Sequence, residues 1–277
     1  MRLRSLLFVP ALATDKFAKA LERGADALIL DLEDAILPER KDDARAALPA
    51  AYAALAGRGT PVLVRLNAEP EAWRADLAAL PDAQVHGVLL PKVRERAAVD
   101  ALAQALAARY AAPPPIWALI ETPRGVLHAA DIAAHPAVVG LGFGAGDYAA
   151  ALGVPCTPLA VTGPAQQVIT CAHAFGRACI GLAASIGDVG DLVTYTENVR
   201  VARAMGFTGT VCIHPRQVGI ANRGFGPSPE ELAWAERLLA ADAQFRARGA
   251  GAFLFEGQLV DGPVVVHAQA MLEAARR

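Results

Sequence analysis

A chain of 277 residues, 54% hydrophobic and 19% charged, buries a large core; this excludes a disordered polymer and allows either one barrel or two smaller domains. Its 26 basic and 28 acidic side chains leave a formal net charge of -2, which gives no electrostatic footprint for nucleic acid. No uninterrupted apolar stretch is long enough for a bilayer, so no membrane partner is expected either.

The start, MRLRSLLFVPALA, imitates a secretory signal with two arginines, an apolar run and a small-residue site. The run is short, Pro10 interrupts it, and an amphipathic segment follows, so it reads as a first strand and a cytoplasmic location is expected. Further apolar runs end in polar or turn residues at 5–10, 27–31, 61–66, 87–92, 116–121, 138–143, 178–183 and 209–214. Between them, helical spacing recurs, as at 15–23, 42–55, 94–109, 166–175 and 197–205. Strands that are nearly continuous in apolar residues suit a sheet covered on both faces. Their strict alternation with helices predicts an α/β fold, a closed TIM (β/α)8 barrel. A doubly wound open sheet is the runner-up, but no GxGxxG turn follows the first strand.

After His214 the pattern changes. GFGPSPEEL offers a turn and a helix start, with Ser228 as N-cap and Glu231 completing a capping box; the helix is expected to reach about Arg248. GAGAFLFEGQLVDGP reads as an extended or hairpin segment, and 267–277 as a final helix. The expected division is thus a barrel domain over 1–224 and a C-terminal helical extension over 225–277, which reaches over a neighbouring subunit or covers the barrel mouth. Cys156, Cys171, Cys179 and Cys212 form neither a CxxC pair nor an alternation with histidines, so reduced thiols are expected rather than a zinc cluster or a disulfide framework.

Two acids follow apolar runs and therefore belong at strand tips: Glu121 in WALIETPRG and Asp147 in GLGFGAGDYAA. Hard oxygen ligands on neighbouring tips could hold Mg2+, with water and substrate filling the other positions. Either acid alone could equally cap the helix behind it or pair with an arginine. LILDLEDAI gathers Asp31, Glu33 and Asp34 at one tip, where three carboxylates repel unless cations or donors compensate. Arg65 and Lys92, on the next two tips, are the candidates to do so. A salt-bridge ring that only fixes loops is a ready account of Lys92 and Asp34. The planar fork of Arg65 also suits bidentate capture of a carboxylate or 2-keto acid.

The runs SLLFVPA, KFAKALERGADALILDLEDAI, VRLN, LLPKV, ETPRG, FGAGDY and GFTGTVCIHPRQV, in this order along almost the whole chain, resemble the citrate lyase beta-subunit family of the HpcH/HpaI aldolase/citrate lyase superfamily. Malyl-CoA and citramalyl-CoA lyases are related to it. The resemblance implies a Mg2+-dependent barrel that makes or breaks the bond between an acyl-CoA and a 2-keto acid. It makes Glu121 and Asp147 the metal ligands and part of the substrate site. Arg65 would bind the keto-acid carboxylate and steady the developing oxyanion, and the amides around Ala145, Gly146 and Asp147 would hold the acid's other end. Asp261, in LVDGP, matches a carboxylate that enters a neighbouring subunit's site and handles the acetyl proton; as a turn residue before Gly262 it has an equally good structural account. Lys16 and Lys19 match basic residues that meet coenzyme A phosphates in some relatives, although a surface helix displays lysines in any case. A homo-oligomer, trimer or hexamer, is implied.

Cleaving a 3-hydroxyacyl thioester creates a ketone and an enolate, so the site must accept negative charge on oxygen and manage protons. No covalent nucleophile is needed, and Ser5 and Ser185 carry no Ser-His-Asp signature. His214 is expected to order the eighth loop or line the thioester channel. Two departures from the family pattern stand out. Gly146 replaces the Glu of a Gly-Ala-Glu-Asp motif, and Ala184 and Ser185 follow the seventh strand where many relatives have Asp, with Gly187 before Asp188. Two rival readings remain: a metal-dependent pyruvate aldolase acting without coenzyme A, and a catalytically silent keto-acid-binding subunit.

Overall fold

The computed structural model describes residues 3–83 and 85–276. Strands form where the apolar runs lie: β1 (Ser5–Pro10), β2 (Ala27–Asp31), β3 (Val62–Arg65), β4 (Val88–Leu90), β5 (Ile116–Ile120), β6 (Val138–Phe143), β7 (Ala178–Gly181) and β8 (Thr210–Cys212). All pair in parallel, in the order β7-β6-β5-β4-β3-β2-β1-β8. The ring closes through a bridge between Ile180 and Gly209, where the Gly181 N–H donates to the Gly209 carbonyl at 2.9 Å. Gly209 is needed there, because a Cβ at this position would lie 2.0 Å from the Leu3 carbonyl oxygen.

Alternate residues of each strand face opposite ways. Leu6, Ile29, Leu63, Leu89, Trp117, Leu119 and Ile180 fill the barrel interior. Leu7, Leu28, Leu30, Val62, Val64 and Ile120 lie in the larger core between sheet and helices. This double burial accounts for the unbroken apolar runs.

Helices follow the strands: α1 (Phe17–Leu21), α2 (Lys41–Leu55), α3 (Pro70–Ala79), α4 (Arg96–Arg109), α5 (Pro123–Leu127), α6 (Ala129–Ala133), α7 (Ala145–Leu152), α8 (Pro158–Ala174), α9 (Leu192–Met205) and α10 (Pro215–Gly224). Two of them start earlier than their spacing suggests. α8 begins at Pro158, behind Thr157, and runs through Pro164 inside the helix. α9 begins at Leu192 because the Asp191 carboxylate caps it, accepting from the Thr194 N–H at 2.9 Å.

Residues 3–225 form one compact unit and 226–276 a second. In the second, α11 (Pro229–Ala247) starts with the expected capping box, Ser228 accepting from the Glu231 N–H while the Glu231 carboxylate accepts from the Ser228 N–H. β9 (Phe253–Phe255) and β10 (Gln258–Val260) pair as a hairpin whose two turn residues, Glu256 and Gly257, both have positive φ. The last helix, α12, covers Gly262–Arg276, five residues before the expected start. Pro263 is tolerated in a first turn, where an amide N–H has no helical partner anyway. Arg277, the expected last residue of that helix, lies outside the described residues. Leu238, Phe253, Val260, Val265 and Met271 make this unit's own core. Among the described residues no helix is long and apolar enough to cross a membrane.

Candidate active site

The β2 tip carries Asp31, 1% exposed, followed by Glu33, which is also buried, and Asp34, which is exposed. From the adjacent tip of β3, Arg65 answers this charge. Its Nε and Nη2 donate to the two oxygens of Asp31 at 2.7 Å each, a bidentate pair. Its Nη1 lies 2.9 Å from Glu33 Oε2 and 3.3 Å from Asp34 Oδ2. The guanidinium also stacks on Phe8 at 4.4 Å. Burial alone would lower its pKa; the hydrogen bonds and charge of Asp31 outweigh that and raise it. With five N–H donors, the fork keeps capacity for a ligand after these pairings.

Lys92, just past the β4 tip, donates from Nζ to Glu33 Oε1 at 2.6 Å and sits 3.5 Å from Asp34 Oδ1. Backbone amides share the neutralisation, since the Glu33 and Ala35 N–H groups both donate to Asp31. Lys41, which no motif in the sequence marks, donates from Nζ to the Leu32 and Glu33 carbonyls at 2.7 and 2.6 Å. The ring of charges expected on these tips is therefore present. Glu33 Oε2 nevertheless lacks a hydrogen bond of good geometry, and burial keeps the Glu33 carboxyl above its ordinary pKa despite Arg65.

Glu121 follows β5 and is 6% exposed. It does not cap α5; Thr122 does, its side chain accepting from the Gly125 N–H at 3.1 Å. Instead Glu121 Oε2 accepts from the Lys92 backbone N–H at 2.8 Å. The carboxyl group packs against Gly144, where a Cβ would come within 2.6 Å of Glu121 Cγ and Oε1; GFGAGD thus keeps glycine where the acid must lie flat. Asp147 stands in the first turn of α7, whose N-cap is Gly144, with no side-chain cap on the first amides. Burial, and next the charge of Asp147, push the Glu121 carboxyl up to about 7.

Arg65, Glu121 and Asp147 line one cavity of about 520 Å³, together with Asp31, Asp34, Ala145 and Gly146. Ile180, Leu182, Ile186 and Ile213 add apolar lining to the same cavity. Ala184, Ser185 and Gly187 line it too, so both departures from the family pattern face the cavity. A Cβ on Gly146 would meet nothing within 4 Å. Among the described residues no group of three or more His, Cys, Asp or Glu is arranged to hold a metal ion. Two carboxylates do suit Mg2+, which keeps several waters and takes one or two protein carboxylates. A cation would also relieve the repulsion that raises Glu121.

Lys16 and Lys19 are exposed, in the 3-10 turn after β1 and in α1. Asp261 belongs to the second unit, where it is exposed and its carbonyl accepts from the Val265 N–H at 3.2 Å, in the turn that opens α12. His214 orders the eighth loop: its Nδ1 accepts from the Arg216 N–H at 3.2 Å, and Gln217 Oε1 accepts from its backbone N–H at 3.0 Å. Ser5 is bound to Asn222 at 2.6 Å, and the four cysteines are free thiols.

A closed parallel barrel whose strand tips bring buried carboxylates and a guanidinium to one cavity has the architecture of an enzyme that works at its carboxyl-terminal face. Residues 4–215 match the HpcH/HpaI aldolase/citrate lyase family. The chain is 40% identical over 282 residues to a citrate lyase subunit beta-like protein of Mycobacterium tuberculosis, covering 97% of this chain and 94% of the relative. It is 36% identical over 276 residues to a (3S)-malyl-CoA thioesterase of Cereibacter sphaeroides, covering 98% and 94%. Its fold superposes with a TM-score of 0.79, at 36% identity and over 100% and 99% of the two chains, on the crystal structure of CitE from Mycobacterium tuberculosis in complex with magnesium, acetoacetate and coenzyme A. The chain belongs to the HpcH/HpaI aldolase/citrate lyase family and is a carbon–carbon lyase.

Proposed function

We propose that the protein cleaves, or in reverse forms, a short 3-hydroxyacyl-CoA such as a citryl, malyl or citramalyl thioester, giving an acyl-CoA and a 2-keto acid. The observation that carries this reading is the convergence of Glu121, Asp147 and Arg65 on one cavity. Magnesium in the similar CitE complex, and the fit of two carboxylates to that ion, support Glu121 and Asp147 as its ligands. When bound, the ion supplies Lewis-acid polarisation of the keto oxygen, an effect worth several kcal/mol.

The protein's own groups do the rest. Arg65, locked by Asp31, presents its remaining N–H groups to the keto-acid carboxylate and to the oxygen that gains charge. The uncapped amides of Ala145, Gly146 and Asp147 offer an anion site at the start of α7. In cleavage the C3 hydroxyl loses its proton and becomes the ketone, the C2–C3 bond breaks, and its electron pair passes to the thioester as an enolate. A proton returned to C2 completes the acyl-CoA. Asp261 of a second copy is assigned that transfer, within a trimer or hexamer, and Lys16 and Lys19 the coenzyme A phosphates. The region 225–277 then acts as the arm that completes a neighbour's site.

The likeness to a malyl-CoA thioesterase favours a second reading, in which the thioester is hydrolysed to coenzyme A and a hydroxy acid. One assay separates the readings: purified protein with Mg2+, acetyl-CoA and glyoxylate, pyruvate or oxaloacetate, and separately with candidate acyl-CoA esters. A lyase interconverts keto acid and hydroxyacyl-CoA, and loses this in Glu121→Ala and Arg65→Ala. Free coenzyme A with hydroxy acid and no keto acid points to the thioesterase. Cleavage of free hydroxy-keto acids alone, or keto-acid binding without turnover, would sink both thioester readings.

A further inference from the structure

Lys92 has φ 52, in the left-handed region that side chains other than glycine and asparagine avoid. Such outliers persist only where the surroundings over-determine them. Here they do. The next residue is held by the Val93 N–H donating to the Leu119 carbonyl at 3.0 Å, and the Val93 carbonyl leaves so little room that a Cβ on Gly125 would lie 2.3 Å from it. The strained residue links two groups of the site. Its ammonium is tied to Glu33 Oε1 at 2.6 Å, in the network of Arg65 and Asp31, and its backbone N–H donates to Glu121 Oε2 at 2.8 Å.

We propose that Lys92 is a positioning residue: the ammonium–Glu33 tie holds its backbone left-handed, which aims its amide at Oε2 of Glu121 and leaves Oε1 for the divalent cation. The inference rests on the reading of Glu121 as a cation ligand. It assigns the lysine a task that its backbone performs and its charge only secures. Outer partners of metal ligands affect affinity by about 10- to 100-fold, and the lower end is expected here because the amide survives every substitution except proline.

The test is Mn2+ affinity, measured on the purified protein by electron paramagnetic resonance and with Mg2+ by calorimetry, without substrate. Lys92→Ala loses the tie and keeps the left-handed penalty, so its affinity is expected to fall about tenfold. Lys92→Asn and Lys92→Gly lose the same charge but tolerate positive φ, and are expected to recover to within about threefold of wild type. If the Ala variant does not fold, Lys92→Met has the same charge and backbone penalty and takes its place. Equal loss in Ala, Asn and Gly would overturn the proposal in favour of a purely electrostatic role, and no loss in any of them would overturn it outright. Failure of the underlying reading is distinct: wild type would bind no Mn2+, or Glu121→Gln would bind it as wild type does.

Discussion

Glu121 is the residue on which the electrostatics of the site turn. Its carboxyl, raised from an ordinary 4.5 to about 7 by burial and by Asp147, is neutral in the metal-free fold over a range in which the unfolded chain is ionised. Its contribution to stability is thus complete below pH 4.5 and is lost as pH rises through about 7. Metal-free protein is expected to lose melting temperature across that window relative to Glu121→Gln, and saturating Mg2+ to remove the difference. Below pH 7 Mg2+ uptake should release protons, readable by calorimetry in buffers of different ionisation enthalpy. In the lyase assay Glu121→Ala is expected to cost about 100-fold or more in kcat/KM. The acids at 31, 33, 34, 121 and 147 and the cations at 65 and 92 were legible in the sequence because they end or follow apolar runs, although Asp147 falls not at the β6 tip but in the first turn of α7. The amide of Lys92 and the ammonium of Lys41 were not. Both act through backbone groups, whose directions depend on loop conformations that no local pattern encodes.

Elements were read best where chemistry repeats at short range. All eight barrel strands follow their apolar runs, and the Ser228 and Glu231 capping box marks α11 in sequence and structure alike. Ser228→Ala is expected to destabilise the second unit by about 1 kcal/mol, measured by denaturant unfolding with probes in that unit. The helix starts missed by spacing have two causes: an Asp191 cap sets the start of α9 at Leu192, while α8 and α12 start at Pro158 and Gly262. At those last two starts Pro158, Gly262 and Pro263 sit in first turns, where the penalties that make proline and glycine breakers of helix interiors do not apply. The two-residue turn at Glu256 and Gly257 was read only as part of a hairpin, since glutamate gives no advance sign of positive φ.

For the molecule as a whole, periodicity predicted a barrel but not how its ends meet. β7 and the start of β8 meet through the bridge at Ile180 and Gly209 and through Thr208, whose N–H donates to the Cys179 carbonyl at 2.7 Å, while Gly209 is also pressed against the Leu3 carbonyl ahead of β1. Gly209→Ala is expected to cost about 2 kcal/mol and to speed amide exchange at Gly181 more than in β3, as read by hydrogen exchange. Residues 226–276 pack around their own apolar cluster, and the proposed role of Asp261 in a second copy's site can be tested directly. Mixing Asp261→Ala with Glu121→Ala protein after subunit exchange is expected to restore lyase activity that neither has alone; failure to do so, with exchange demonstrated, would place Asp261 outside the proton transfer.

Gly146 gives the cavity a degree of freedom. Because a Cβ there would meet nothing within 4 Å, a small side chain at 146 adds bulk to the cavity wall without displacing a neighbour, and on the proposed function it alters the room left for an acyl or keto substituent. That freedom makes the position the natural handle by which selection, or an engineer, would shift this enzyme from one substrate to the next.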